Sequence, residues 1–114
     1  MVSDIEIQNL TKNCNEILIL ASLSRGLKHG YQLALEIESL SQGRFKFNHG
    51  TLYPILHKLE KDGLIKGTWA TSTTKRKRKC YALTGKGKTQ AKKLTEAWVA
   101  FSNDLFHIIG GIES

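Results

Sequence analysis

Residues 48–65 read Asn48-His49-Gly50-Thr51-Leu52-Tyr53-Pro54-Ile55-Leu56-His57-Lys58-Leu59-Glu60-Lys61-Asp62-Gly63-Leu64-Ile65. Leu52, Ile55, Leu56 and Leu59 recur at i, i+3, i+4 and i+7, the spacing of one buried helix face. Gly50, Pro54, His57, Lys58 and Lys61 fall on the opposite face, with Tyr53 at its edge and no acid near its centre. A short helix with an apolar back and a basic, hydrogen-bonding front suits the DNA major groove. Asn48 and Thr51 are both N-cap candidates. Under a Thr51 cap, Pro54 sits at N3, where its missing N–H costs nothing. Under an Asn48 cap its absent bond is to Gly50, which has no side chain to crowd the ring. Asp62-Gly63 stops the helix.

Upstream, residues from about Ile5 to Arg25 predict a helix. Ile7, Leu10, Cys14, Ile17 and Ala21 follow a 3-4-3-4 spacing, and Leu18, Leu20 and Leu23 widen the stripe beyond one face. A helix this apolar is buried on more than one side, against its own domain and against something outside it. Gly26 closes it, and Leu27-Lys28-His29-Gly30 reads as a loop. A second helix runs from about Tyr31 to Leu40, with Leu33, Ile37 and Leu40 inward. Arg44-Phe45-Lys46-Phe47 alternates, which suits a very short strand or an extended turn.

Downstream, Leu64–Ala70 and Lys79–Thr84 predict two strands joined by Thr71-Ser72-Thr73-Thr74-Lys75-Arg76-Lys77-Arg78, a hairpin with a long basic tip. Trp69 and Tyr81 are strand-type aromatics. Three helices followed by such a hairpin form the winged helix-turn-helix pattern. Thr84 caps a last helix over residues 85–109. There Ala91, Leu94, Trp98, Phe101, Leu105 and Ile108 step by 3, 4, 3, 4, 3, a heptad seam that two copies pairing would bury. The expected fold class is mainly α with a small β-hairpin. Residues 1–84 form the winged helix-turn-helix domain, whose first helix also contributes to the dimer. Residues 85–109 form the dimerisation helix and 110–114 a flexible tail.

The chain has 114 residues, enough for one modest core, and a net charge of +7 with pI near 9.6. Between Gly63 and Thr95 there are ten Lys and Arg and no Asp or Glu. That points to a polyanionic partner, with binding that weakens steeply as salt rises. No apolar run approaches a membrane span, and the N-terminus lacks a signal-peptide core, so the reading is cytoplasmic, nucleoid-associated and without membrane contact. Cys14 and Cys80 lack any CxxC context and read as reduced thiols. The four histidines have no metal-ligand spacing. No carboxylate pair, nucleophile motif or phosphate loop is present, so neither an enzyme nor a cofactor is expected.

The stretch from Gly50 to Ile65 closely resembles the signature of the PadR family of bacterial transcriptional regulators. His29-Gly30-Tyr31-Gln32-Leu33 resembles the family's His-Gly-Tyr lead into its second helix. Arg78-Lys79-Cys80-Tyr81-Ala82-Leu83-Thr84-Gly85-Lys86-Gly87 resembles its wing strand and the Leu-Thr-x-x-Gly start of the last helix. The likeness runs from about Leu18 to Phe101, and a single helix after the wing resembles the smaller subgroup. His49 stands where the family has proline, and a Thr/Lys/Arg run replaces its Gly-Gly wing tip. The resemblance implies a homodimeric regulator, commonly a repressor, on inverted-repeat operators in double-stranded DNA. The first and last helices of two subunits build the dimer in this family. Trp98 resembles a tryptophan with which some short members bind flat aromatic drugs at the dimer centre.

The DNA contacts expected are His29, Tyr31, Arg44, His49, Gly50, Thr51, Tyr53, Pro54, His57, Lys58, Lys61, Lys75, Arg76, Lys77, Arg78 and Lys79. Ile7, Leu10, Cys14, Ile17, Ala91, Leu94, Trp98, Phe101, Leu105 and Ile108 are the expected dimer contacts. Trp98 and Phe101 are the candidate platform for a planar aromatic effector. The competing reading of the same fold is an architectural or replication-associated DNA-binding protein without an effector.

Overall fold

The computed structural model describes residues 14–71 and 77–110, and of His49, Thr71 and Lys77 only the backbone. Ile7, Leu10, Lys75, Arg76 and the tail after Gly110 lie outside the described residues. In chain order the elements are α1 (Asn15–Leu23), β1 (Lys28–His29), α2 (Gly30–Leu40), α3 (His49–Lys61), β2 (Ile65–Thr71), β3 (Lys77–Leu83) and α4 (Gly85–Ile109). The three strands form one antiparallel sheet in the order β1-β3-β2. The expected class therefore stands: a mainly helical winged helix-turn-helix with a long C-terminal helix.

Three polar side chains start the three helices that follow α1. His29 Nδ1 accepts from Gln32 N at 3.1 Å, Asn48 Oδ1 from Thr51 N at 2.9 Å, and Thr84 Oγ1 from Gly87 N at 3.0 Å. Each satisfies one of the backbone donors that a helix start leaves without an internal partner. Asn48, not Thr51, is thus the cap of α3, and Pro54 lies in its second turn facing Gly50. Gly63 ends α3 with φ +77°, in the left-handed region that favours glycine. Thr84 Oγ1 also donates to Gly63 O at 2.6 Å, tying the end of α3 to the start of α4.

One core joins these elements. Ile19, Leu20, Leu33, Leu56, Leu59 and Ile65 are fully buried, with Leu52, Ile37 and Tyr81 around them. Each such aliphatic side chain contributes about 1.5–3 kcal/mol of transfer free energy. The face of α3 marked apolar by its spacing is the face that packs.

Several expectations need correction. The Leu27–Gly30 loop contains β1, which pairs with β3 through Lys28↔Tyr81 and His29↔Cys80. Two residues are too few to give a periodic signal, and the partner strand lies far away in sequence, so only the tertiary fold reveals the strand. Of the two forms expected for Arg44–Phe47 the extended turn holds and the strand does not; Phe45 and Phe47 pack against the core. The first helix is described only over Asn15–Leu23, and it ends before Arg25. Ala91 is 5% exposed and Leu94 packs against the same cluster. Those two positions of the heptad seam therefore belong to the subunit's own core, because the first turns of α4 lie on α1.

Candidate nucleic-acid interface

The exposed face of α3 carries Gly50, Thr51, Tyr53, Pro54, His57, Lys58 and Lys61, as the helical spacing requires. Its position is set from behind: Leu52, Leu56 and Leu59 are no more than 2% exposed. One residue of the front also has a packing role. A Cβ on Gly30 would come within 2.9 Å of the Tyr53 hydroxyl and 3.2 Å of its ring. The bare backbone at the start of α2 is therefore what lets Tyr53 lie across it. Tyr31, the next residue, is 59% exposed.

The wing closes this side. His29, Tyr31, Tyr53, Trp69 and Arg78 line one open hollow of about 400 Å³, although they come from β1, α2, α3, β2 and β3. Trp69 is 65% exposed there. The sequence marked it only as a strand aromatic. Alternation alone does not distinguish an exposed tryptophan on a wing strand from a buried one, and Trp69 joins the candidate DNA surface here.

His29 and Arg78 form an unusual pair. Arg78 Nη1 lies 3.2 Å from His29 Nε2. Because Nδ1 accepts the Gln32 N–H, the neutral ring carries its proton on Nε2. Two donors then face one another. Burial, and next the charge of Arg78, push the imidazole's pKa down. An anionic oxygen placed between them would accept from both, and phosphate oxygens are such acceptors.

Lys79 lines the same hollow and is paired within the chain. Its ammonium lies 2.9 Å from Glu60 Oε1, and Glu60 Oε2 accepts from Gly67 N at 3.1 Å. The hydrogen bond from Lys79 holds the Glu60 carboxyl below its usual range, and Lys79 is raised in turn. The lysine is 6.0 Å from the Trp69 ring centroid and 5.5 Å from that of Tyr81. Its charge fastens the wing to α3, since alternation along β3 puts Arg78 on one face of the sheet and Lys79 on the other, beside its cross-strand partner Trp69. Arg44 is apart: it is exposed in the α2–α3 turn and lines a different hollow, with Ile17, Leu18, Leu40 and Phe45. Lys58, Lys61, Lys66 and Arg78 are exposed, as are Lys88, Lys92 and Lys93 on α4.

The candidate dimer residues divide by exposure. Trp98 meets Phe101 edge to face, with centroids 5.9 Å apart and planes at 88°. Phe101, Leu105 and Ile108 are exposed, and so are Val99, Phe106 and Ile109, which the heptad spacing did not include. Cys14 and Ile17 are half-buried on α1 and the turn that leads into it. Among the described residues no His/Cys/Asp/Glu group could hold a metal, and no helix is long and apolar enough to cross a membrane.

Comparison with known proteins agrees with this geometry. The sequence model of the transcriptional regulator PadR-like family matches residues 19–93. A PadR-like transcriptional regulator from Bacillus cereus superposes with TM-score 0.78 at 29% identity, covering 89% of this chain and 96% of that one. Bacillus subtilis PadR, solved in complex with operator DNA, gives TM-score 0.66 at 27% identity over 72% of this chain and 46% of its own. The transcriptional regulator YqjI of Escherichia coli is 43% identical over 49 residues, which are 43% of this chain and 24% of that protein.

Proposed function

This chain belongs to the PadR-like family of transcriptional regulators, not to an enzyme family, and from that membership we propose that it is a homodimeric repressor binding an inverted-repeat operator in the cytoplasm. The observation that carries the reading is the convergence of Tyr31, Tyr53, Trp69, His29 and Arg78, from five elements, beside the exposed basic front of α3. In this reading Thr51, Tyr53, His57 and Lys58 meet base edges, with Gly50 and Pro54 admitting close approach. His29, Tyr31 and Arg78 seat a phosphate at the start of α2, where backbone N–H groups add to the field. Lys61 and the wing residues Lys75, Arg76 and Lys77 follow the backbone and supply most of the affinity. His49 and Arg44 stand at the margins of this surface.

Pairing of two copies through the projecting half of α4, with Cys14 and Ile17, sets the spacing of two α3 helices. The Trp98–Phe101 pair gives a planar aromatic effector a place to stack. A ligand that prefers one spacing shifts the population that fits the operator. The long acid-free basic segment favours one competing reading, a sequence-indifferent architectural protein.

Selection of binding sites from random DNA decides between them. A recovered palindrome supports the regulator, and uniform recovery overturns it. Tyr53→Ala should blunt the sequence preference. Replacing Lys75, Arg76 and Lys77 by Gln should weaken all sequences alike and lower the salt slope by about 1 for each phosphate no longer neutralised. Equal losses of preference in both variants would sink this division of labour.

A further inference from the structure

Glu60 lies in the last turn of α3, and its carboxylate meets the wing. The two oxygens have different partners there. Oε1 accepts from Lys79 Nζ on β3 at 2.9 Å, and Oε2 accepts from Gly67 N on β2 at 3.1 Å. One acid thus holds both strands of the wing to α3. The Lys79 and Glu60 side chains are 28% and 29% exposed, too buried for solvent to screen the pair fully. Lys79 also pulls the carboxyl below its usual range, so the acid is charged at neutral pH.

Gly67 admits the lysine. A Cβ at that position would strike Lys79 Cε and stand 3.1 Å from Glu60 Oε2. The bare strand leaves the space through which Lys79 reaches its acid.

This pairing removes one cation from the DNA side. Lys79 lines the hollow with His29 and Arg78, and no acid lines it. Arg78 meets a second donor, His29, whereas Lys79 has an acceptor of its own. A lysine carries a compact ammonium on a flexible four-carbon stem, which can turn to a phosphate once its acid is gone. The Trp69 and Tyr81 rings, with centroids 6.0 and 5.5 Å from the ammonium, hold it less firmly than a carboxylate does.

We propose that Glu60 is a specificity-determining residue of the DNA surface: it keeps the Lys79 ammonium off the phosphate backbone and fixes the wing to the attitude of α3. Phosphate contacts carry no sequence information, so each one added raises binding to every sequence. A wing fastened to α3 grips the backbone in the pose in which α3 is seated. A freed Lys79 grips DNA whatever α3 meets, so its gain falls mainly on random sequence. Through this acid the chain gives up affinity and keeps discrimination. The role rests on the DNA-binding reading above.

Titration of the full chain against random-sequence duplex and against its selected palindrome, over a range of salt, tests it. Glu60→Gln keeps an acceptor for Gly67 N and removes the charge. It should bind random DNA severalfold tighter at about 0.1 M salt, with log K against log salt steeper by about 0.9, the share of one phosphate. The palindrome should gain less, so the ratio of the two affinities falls. In a Lys79→Gln background the same substitution should lose most of its effect on the slope. Lys79→Gln alone should flatten the slope by less than Arg78→Gln does. Gly67→Ala, which displaces the lysine with every charge in place, should steepen it.

A Glu60 that only held the fold together would weaken binding to both DNAs, lower the melting temperature and leave the slope unchanged, and that result overturns the proposal. So does a flattening by Lys79→Gln as large as that by Arg78→Gln, since Lys79 would then already contact phosphate in the wild-type chain. Equal gains on the two DNAs would reduce Glu60 to plain charge repulsion and overturn its part in specificity. If Glu60→Gln folds poorly, Gly67→Ala carries the test, and an unchanged slope in that variant overturns it. A chain that binds random DNA with steep salt dependence but yields no palindrome counts against the regulator reading alone, and the slopes on random DNA still decide whether Glu60 restrains Lys79. A wild-type chain that binds no DNA overturns the DNA-binding reading, and this role with it.

Discussion

His29 holds a different group on each ring nitrogen. Nδ1 accepts the Gln32 N–H that starts α2, and Nε2 faces Arg78. Burial and the guanidinium lower its pKa from 6.5, so the folded chain binds a proton there less readily than the unfolded chain does. The sign follows: this contribution to stability is fully present above pH 6.5 and declines as pH falls toward the folded value. Melting temperature should drop on acidification through that window. His29→Asn, which caps without titrating, should flatten that part of the profile. An equally steep profile in the variant would exclude His29 as its source. Glu60 titrates separately, since its carboxyl is lowered from 4.5 by Lys79 and its contribution is lost only in more acid solution. The periodicity of α3 put Tyr53 at the edge of its front face. That Tyr53 also requires a bare Gly30 beneath it depends on α2 and α3 crossing there, which no spacing records.

At the scale of elements, the Thr84–Gly87 turn joins the wing to α4. Gly87 is buried, and a Cβ there would strike the Leu64 carbonyl, which is backbone and accepts from Thr84 N at 3.1 Å. Nothing lies within 4 Å of a Cβ on Gly85. Two glycines in one turn should therefore answer oppositely. Gly87→Ala should cost roughly 1–3 kcal/mol by overpacking. Gly85→Ala should be neutral or stabilise by up to about 1 kcal/mol through helix propensity and unfolded-chain entropy. Urea denaturation of both reads this directly, and equal shifts would contradict the close approach at Leu64. The sequence motif contains both glycines; only the packing separates them. The same holds along β3, where adjacent Arg78 and Lys79 read alike as wing cations and the strand turns one to His29 and the other to Glu60.

At the scale of the whole molecule, the chain spans 57 Å in its long direction against 30 and 20 Å in the others. Beyond Leu94, α4 carries Val99, Phe101, Leu105, Phe106, Ile108 and Ile109, all exposed. Ile108 is 73% exposed and Phe106 67%, an apolar surface broader than a two-helix seam. Self-association through it predicts that Phe101→Asp with Ile108→Asp gives monomers in sedimentation and loses operator affinity steeply on dilution. A wild-type chain that sediments as a monomer at micromolar concentration would overturn this.

The order of helices, the cap at Thr84, the choice of Asn48 or Thr51 as the cap of α3, the basic front of α3 and the length of α4 could all be read from the sequence. Each depends on neighbours within a few residues, through the helical period or a capping side chain. The three-stranded sheet, the burial of Ala91 in the subunit's own core, the exposure of Trp69 and the pairing of Lys79 with Glu60 could not. They depend on which residues distant in the chain come to lie against each other, and that is settled by packing around one core.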